Sequence, residues 1–306
     1  MKKIIVDLLG SDNGQEELLR GVKNADKNYE YILVGDTALI DETLFGRGVV
    51  YTAVEAADFV SNGENPLRVL NDENVSISKC LAYAADKDAL GVVTAGSTGA
   101  ALVGSAFRLG LKKGVQSPVL CCVLYRFDGK PFCLADCGAN IDPQAADILN
   151  FALLTSEFCK SYCGVKEPKV YLLNVGKEPK KGTATYKAAY SLLKDNCPEF
   201  CGNIEADAVF SSNADVIVCD GFSGNVLLKC GEAVAMGIKN KILSYVSKDS
   251  GKIISDEIDK LFDYNDLAGA VFLGVNKPVI KLHGKANAKT VTAGIAQLIR
   301  ACGENA

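Results

Sequence analysis

Five short segments of this chain gather side chains suited to handling an anionic substrate. They are Ala95-Gly96-Ser97-Thr98-Gly99-Ala100, Asp136-Cys137-Gly138-Ala139-Asn140, the lysine-bearing stretch 174–182 (NVGKEPKKG), Asp220-Gly221-Phe222-Ser223-Gly224-Asn225, and His283-Gly284. Glycine lets a ligand approach the backbone, and unpaired amides at a helix start attract anions. Ser97, Thr98, Asn140, Asn174 and Asn225 add neutral donors, while Lys177, Lys180 and Lys181 supply positive charge. Taken singly, each segment is ordinary turn chemistry, a lone histidine is more often structural than catalytic, and three lysines in a turn are often just solvated. Their recurrence favours a site for a polar, anionic ligand.

What positions these segments is a repeated pattern. Each follows an apolar run that reads as a strand: Gly91–Thr94, Phe132–Ala135, Lys169–Leu173, Val216–Cys219 and Pro278–Leu282. Further runs at Ile4–Leu8, Tyr31–Val34 and Val119–Tyr125 complete the set. The runs are continuous rather than alternating, as in parallel strands covered on both faces. Between them lie helical patterns. Leu227, Cys230, Val234, Ile238 and Ile242 recur at helical spacing. Ile148, Phe151 and Ala152 form a second face after Asp142-Pro143, which reads as an N-cap and first helical residue. Strand–helix alternation predicts a Rossmann-like three-layer α/β/α fold with a mostly parallel sheet, and ligands in such sheets bind beyond the carboxyl ends of the strands. Residues 1–306 read as a single α/β domain, with a charged helical excursion near 247–262.

Composition narrows the function classes. The net charge of -4 offers no broad basic face for nucleic acid. No apolar run reaches the roughly 18 residues of a membrane span, and the start MKKIIVDLLGSD turns polar early, so a cytoplasmic protein is expected. Twelve cysteines include three C-x-x-x-C pairs, Cys133/Cys137, Cys159/Cys163 and Cys197/Cys201. Metal sites usually use tighter pairs or several histidines, and His283 is alone, so buried reduced thiols and no metal are expected. There is no G-x-G-x-x-G after the first strand and no G-x-x-x-x-G-K-[ST]. The segment 95–99 only loosely suggests a nucleophile elbow and lacks its first glycine.

Taken in order, the motifs resemble the phosphate acyltransferase (PlsX) family of bacterial phospholipid synthesis. The likeness rests on DLLGSD at Asp7–Asp12, TAGSTGA at Thr94–Ala100, ADCGAN at Ala135–Asn140 and PKVYLLNVGKEPKKG at Pro168–Gly182. It continues through GNIEAD at Gly202–Asp207, ADVIVCDGFSGNVLLK at Ala214–Lys229, GAVFLGV at Gly269–Val275 and KLHG at Lys281–Gly284. The resemblance implies a fold related to phosphotransacetylases and isocitrate-type dehydrogenases. It implies transfer of a fatty acyl group from acyl carrier protein to inorganic phosphate, with no cofactor, in a homodimer. Lys181, Asp220, Asn225 and His283 are then the catalytic candidates, and Ser97, Thr98, Gly99, Asn140 and Asn174 the substrate- and phosphate-binding ones. Asp220 would orient a lysine or accept a phosphate proton, and His283 would assist the departing thiolate. A weak peripheral contact with a membrane or a downstream acyltransferase is the further partner expectation.

The chain also departs from the family pattern. Leu9 and Ser11 replace Met and Gly in the first motif, Ser117-Pro118 replaces an Arg-Pro pair, Lys177 stands for Glu and Ala206 for Gly. The family's basic, serine-rich segment falls near Asn71–Ser76, which carries no cation, so a weak and only mildly salt-dependent grip on a carrier protein is expected. A coenzyme A-using, phosphotransacetylase-like enzyme and a degenerate non-catalytic relative are the competing expectations. A dehydrogenase would need a carboxylate metal cluster and a nicotinamide site that these motifs do not assemble.

Overall fold

The computed structural model describes residues 1–262 and 269–304, with backbone only at 248, 249 and 260. It separates into two compact units, Met1–Pro118 with Ala268–Ala306, and Val119–Leu267. Along the first unit run β1 (Lys3–Asp7), α1 (Gly14–Asn24), β2 (Glu30–Gly35), α2 (Thr37–Leu44), β3 (Val50–Glu55), α3 (Arg68–Asn71), α4 (Ser76–Ala84), β4 (Ala89–Thr94) and α5 (Thr98–Gly104). The second unit holds β5 (Val119–Tyr125), β6 (Pro131–Ala135), α6 (Ala145–Phe158), β7 (Val170–Leu173), α7 (Ala184–Asn196), β8 (Phe200–Ile204), β9 (Val216–Val218), α8 (Gly221–Leu243) and α9 (Lys248–Phe262). The chain then returns to the first unit with β10 (Gly269–Leu273), β11 (Val279–Leu282) and α10 (Ala288–Ala301).

In the first unit the strand order is β3-β2-β1-β4-β11-β10. Pairing is parallel from β3 through β11, with β10 antiparallel to β11. Every residue of β4 is buried, as a strand covered on both faces requires. Helix α1 lies close against α10: a Cβ on Gly21 would stand 2.5 Å from the Val291 side chain.

The second unit's order is β5-β6-β9-β7-β8, parallel except for the β5–β6 pair. Residues 119–125 therefore form the expected strand, but one running against its neighbour. Only five residues, Arg126–Lys130, join β5 to β6, too few for the crossover a parallel pair needs. The buried Arg126 guanidinium anchors this turn on Ala214 O (3.0 Å) and Asp128 (3.3 Å).

Two local expectations shift. Helix α6 begins at Ala145 rather than at Pro143, because the Asp147 carboxylate accepts the Gln144 amide at 2.8 Å and sets the first turn two residues later. On α8 the helical spacing holds, but Val234 and Ile238 are 54% and 53% exposed, so much of that apolar face is left open. The charged segment near 247–262 is helix α9, braced on α8 by a Lys239–Asp259 ion pair.

All twelve cysteines are free thiols. Of the C-x-x-x-C pairs, Cys159 and Cys163 do come together, their sulfurs within 4.8 Å of each other. Cys133 joins them, with Cys133 and Cys163 sulfurs 4.0 Å apart, and mutual contact and burial push the Cys133 and Cys159 thiols well up from their ordinary value. Among the described residues no helix is long and apolar enough to cross a membrane.

Candidate active site

In the first unit the carboxyl ends of β1, β4 and β11 carry three interlocked loops. Gly10, at φ +79°, has its Cβ position 2.9 Å from the Gly96 Cα, so residues 8–12 lie directly on the 95–99 turn. A side chain at residue 10 would be strained and would collide with backbone. Beneath that contact Asp7 is buried, accepting the Thr94 hydroxyl (2.9 Å) and the Leu9 amide (3.2 Å), while Thr94 Oγ1 accepts the Gly96 amide (3.0 Å). Burial pushes the Asp7 carboxyl up to about 6, against the pull of these donors and of Lys281. Lys281 sits opposite Thr94 in the strand register and donates to Ala95 O (3.3 Å) and Leu282 O. Ser97 caps α5, its hydroxyl accepting the Ala100 amide at 3.5 Å, and Thr98 and Gly99 form the half-buried first turn.

His283 stands exposed at the end of β11, with Nδ1 accepting the Lys285 amide at 3.2 Å. In the neutral ring that bond leaves the proton on Nε2, which can donate. The histidine turn is stitched to the first loop by Asp12 N to Gly284 O (2.8 Å), Ser11 Oγ to Gly284 O (3.1 Å) and Asn13 Nδ2 to Lys285 O (2.8 Å). The 8–13 loop thus touches both the Ser97-Thr98-Gly99 turn and the His283 turn.

In the second unit the organising residue is Asp136, which follows a cis Ala135–Asp136 peptide. Its Oδ1 accepts the amides of Gly138 and Ala139 at 2.9 Å each, and its Oδ2 accepts the Asn140 amide (2.7 Å) and Asn140 Nδ2 (2.6 Å). Burial raises its pKa, and these four donors counter that. Asn140 passes the link on through its carbonyl, which accepts the Gly221 amide at 2.7 Å. Glycine is obligatory where these loops meet: a Cβ on Gly221 would lie 2.8 Å from Asn140 O, and one on Gly224 would lie 1.9 Å from Asp136 O. Asn225, exposed on the same first turn, stands over Gly138.

Asp220 is the N-cap of α8. Its Oδ1 accepts the Ser223 amide (2.7 Å), and its Oδ2 takes the Ser223 hydroxyl (2.9 Å) and the Tyr186 phenol. The same phenol accepts the Asp220 amide at 3.0 Å. Burial, then the Asp220 carboxylate, push the Tyr186 pKa up, so the phenol stays a donor. Both Asp220 oxygens are thus engaged by neutral donors, which suits a fixed helix start.

The lysine loop is closed by Asn174, whose Nδ2 donates to Lys181 O (3.2 Å) and whose Oδ1 accepts the Val175 amide (2.8 Å). The Lys181 stem passes over Gly176, where a Cβ would come within 2.9 Å of Lys181 Cγ. Lys177, Lys180 and Lys181 are exposed and form no ion pair among the described residues. Tyr186 links this loop to Asp220, since the Gly182 Cβ position is 2.9 Å from Tyr186 Cβ.

The candidates therefore fall into two groups. Ser97, Thr98, Gly99 and His283 share one rim in the first unit, and Asn140, Asn174, Lys181, Asp220 and Asn225 share one in the second. Asp7, Asp136, Tyr186 and Lys281 were not singled out by sequence. Asp7, Asp136 and Lys281 lie inside motifs already noted, whereas Tyr186 has no sequence signal, since its role depends on a contact 34 residues away. Among the described residues the one group spaced to hold a metal ion is Cys133, Cys159 and Cys163, off these loops.

A family model described as fatty acid synthesis protein matches residues 2–306. A phosphate acyltransferase from Clostridioides difficile is 34% identical over 315 residues, spanning 97% of this chain and 92% of its own. Among solved structures, a phosphotransacetylase from Streptococcus pyogenes superposes with a TM-score of 0.67 at 16% identity, covering 99% of this chain and 94% of its own. A branched-chain phosphotransacylase from Enterococcus faecalis gives 0.66 at 15% identity, with both chains fully covered. At such identities these two likenesses speak for the α/β fold alone.

Proposed function

This chain belongs to the fatty acid synthesis protein family, and on that premise we propose that it transfers a fatty acyl group from acyl carrier protein to inorganic phosphate, giving acyl phosphate for phospholipid synthesis. The observation that carries the proposal is the full-length likeness to a phosphate acyltransferase. Such a reaction asks little of a protein. A thioester is already activated, so the protein has only to hold two anionic partners and stabilise a tetrahedral oxyanion.

In this reading a phosphate oxygen attacks the thioester carbonyl carbon, the C–S bond breaks, and the thiolate leaves to take up a proton. Ser97, Thr98 and Gly99 are assigned as phosphate donors, and His283 Nε2–H as the proton donor to the leaving thiolate. Lys181 is assigned as counter-charge and Asn225 as an oxyanion donor, with Asn140 and Asn174 holding their loops. Asp220 acts by fixing the α8 start, with Tyr186 as its partner. The proposal places the protein in the cytoplasm as a homodimer, tested by light scattering at micromolar concentration, where a monomer would count against it.

One observation favours a second donor. Around the Asn71–Ser76 segment the cations are Arg68, held by Asp58, Glu64 (2.9 Å) and Asp72 (2.9 Å), and Lys79, which donates to Glu55 O at 2.7 Å. An acidic carrier protein finds little free positive charge there, which makes acyl-coenzyme A the alternative donor. Acyl phosphate formation from both thioesters, with phosphate varied, tests the proposal; turnover of neither, or thioester loss without phosphate, refutes it.

A further inference from the structure

Within the second unit a cavity of about 390 Å³ lies between α8, α9 and the β5–β6 turn, a size ordinary for small-molecule sites. No charged, hydroxyl or amide side chain lines it. Its floor is a fixed aromatic group: the Phe210 ring stands 6.0 Å from Phe127 and 5.3 Å from Phe262, and the Phe127 amide donates to Phe210 O at 3.0 Å. Its other wall is α8, through Leu227, Gly231, Ala235 and Ile238 on one face. A Cβ at Gly231 would only just reach Phe210, at 3.4 Å, so the missing side chain leaves room that nothing else fills. The far end is polar, since the Lys239–Asp259 ion pair follows directly on Ile238 and Ile258.

We propose that this cavity holds the alkyl tail of the acyl donor, with the thioester carbonyl at the Asp220–Asn225 turn and the chain end near Ile238. The inference rests on the acyl-transfer reading above. Three observations choose the occupant. A polar group placed here would lose its hydrogen bonds, so the buried part of the ligand is hydrocarbon. The cavity begins at Leu227, one turn on from Ser223 on the same face of α8, and the Ser223 hydroxyl bonds the Asp220 carboxylate at 2.9 Å. From Leu227 to Ile238 the wall runs about 16 Å at ~1.5 Å per residue, the length of roughly 12–13 carbons in a zigzag of ~1.5 Å bonds.

The test measures kcat/KM for acyl donors of increasing chain length at saturating phosphate, in the wild type and in Gly231→Leu. Each buried methylene is worth about fourfold, so the wild-type value should climb to about 12–14 carbons and then level. Gly231→Leu fills about four carbons of space, so its ratio of long- to short-chain kcat/KM should fall by about 250-fold and its optimum should move down by roughly four carbons. Gly231→Ala, which the 3.4 Å spacing tolerates, should move it by about one carbon and guards against a misfolded leucine variant. Dodecanoate should raise the wild-type melting temperature and not that of Gly231→Leu. Equal loss at every chain length overturns the inference, as does an unchanged length profile accompanied by a change in oligomeric state or in binding to anionic vesicles. If the wild type makes no acyl phosphate from any donor, the acyl-transfer reading fails. The dodecanoate shift then decides the cavity by itself: a shift abolished by Gly231→Leu upholds an alkyl site, and no shift overturns it.

Discussion

Replacing Gly224 with alanine should unseat the second unit's candidate site. The added Cβ would lie 1.9 Å from Asp136 O, 2.9 Å from Cys219 Sγ and 3.0 Å from the Asp136 carbonyl carbon. Two of those atoms are backbone, so relief requires the 136–140 loop or the start of α8 to move by more than an ångström. That junction carries Gly221 N to Asn140 O (2.7 Å), Cys219 N to Ala135 O (2.7 Å) and Asp136 N to Cys219 O (3.1 Å). Overpacking of this kind costs about 1–3 kcal/mol, and strained backbone bonds place this case at the upper end, even after the ~1 kcal/mol that alanine gains over glycine in a helix. A loss of about 2–3 kcal/mol lowers the melting temperature by roughly 5–10 °C. A displacement of about 1 Å among positioning groups should lower kcat by about 100-fold. Gly237→Ala on the same helix is the control. Its Cβ meets nothing within 4 Å, so only the propensity gain of about 1 kcal/mol remains and activity stays unchanged. Calorimetry and acyl-phosphate assays on both variants decide the matter. If Gly224→Ala melts and turns over like Gly237→Ala, the account of two glycine-locked loops is wrong.

Other perturbations probe the remaining parts. Lys181→Ala should raise the phosphate KM and lower kcat/KM by about 10- to 100-fold while circular dichroism stays unchanged; normal turnover at limiting phosphate would remove Lys181 from the site. Tyr186→Phe strips the phenol from both the Asp220 carboxylate and amide, and should destabilise by about 1–3 kcal/mol in denaturant titrations. Asp7 has its pKa raised from 3.8 to about 6, so the folded state holds this proton more tightly than the unfolded chain. Its contribution is therefore full below pH 4 and is lost as pH rises through 6, by about 3 kcal/mol in total. Asp7→Asn should gain on the wild type by up to that amount between pH 4 and pH 7, and parallel stability–pH curves for the two proteins would contradict the assignment.

Much of this architecture is legible from hydrophobic runs, because strands buried on both faces need unbroken apolar sequence. The strands β1, β2, β4, β6, β7, β9 and β11 start and stop within a residue or two of those runs. Three strands escape that logic. In β3 the burial alternates and Val50 is 48% exposed, as suits the edge strand of its unit. Strand β8, FCGNI, carries Gly202 at φ +116°, poor strand chemistry that pairing with β7 overrides. Strand β10 opens on Gly269, whose Cβ would meet Lys281 O at 2.5 Å. The glycine-rich turns were visible as candidates, but not why their glycines are needed, since that depends on which backbone lies opposite. Asp220 shows the same limit: its place before a helix is plain in sequence, whereas its bond to Tyr186 exists only once α7 and α8 are side by side.

The most direct test of the central claim is to follow purified protein, an acyl thioester and inorganic phosphate together, reading acyl phosphate by phosphorus NMR and released thiol by a chromogenic reagent. The account predicts one acyl phosphate formed per thiol released, with both rates rising and saturating with phosphate and both falling in Lys181→Ala. Thiol release that ignores phosphate, or that yields free fatty acid in place of acyl phosphate, would contradict it.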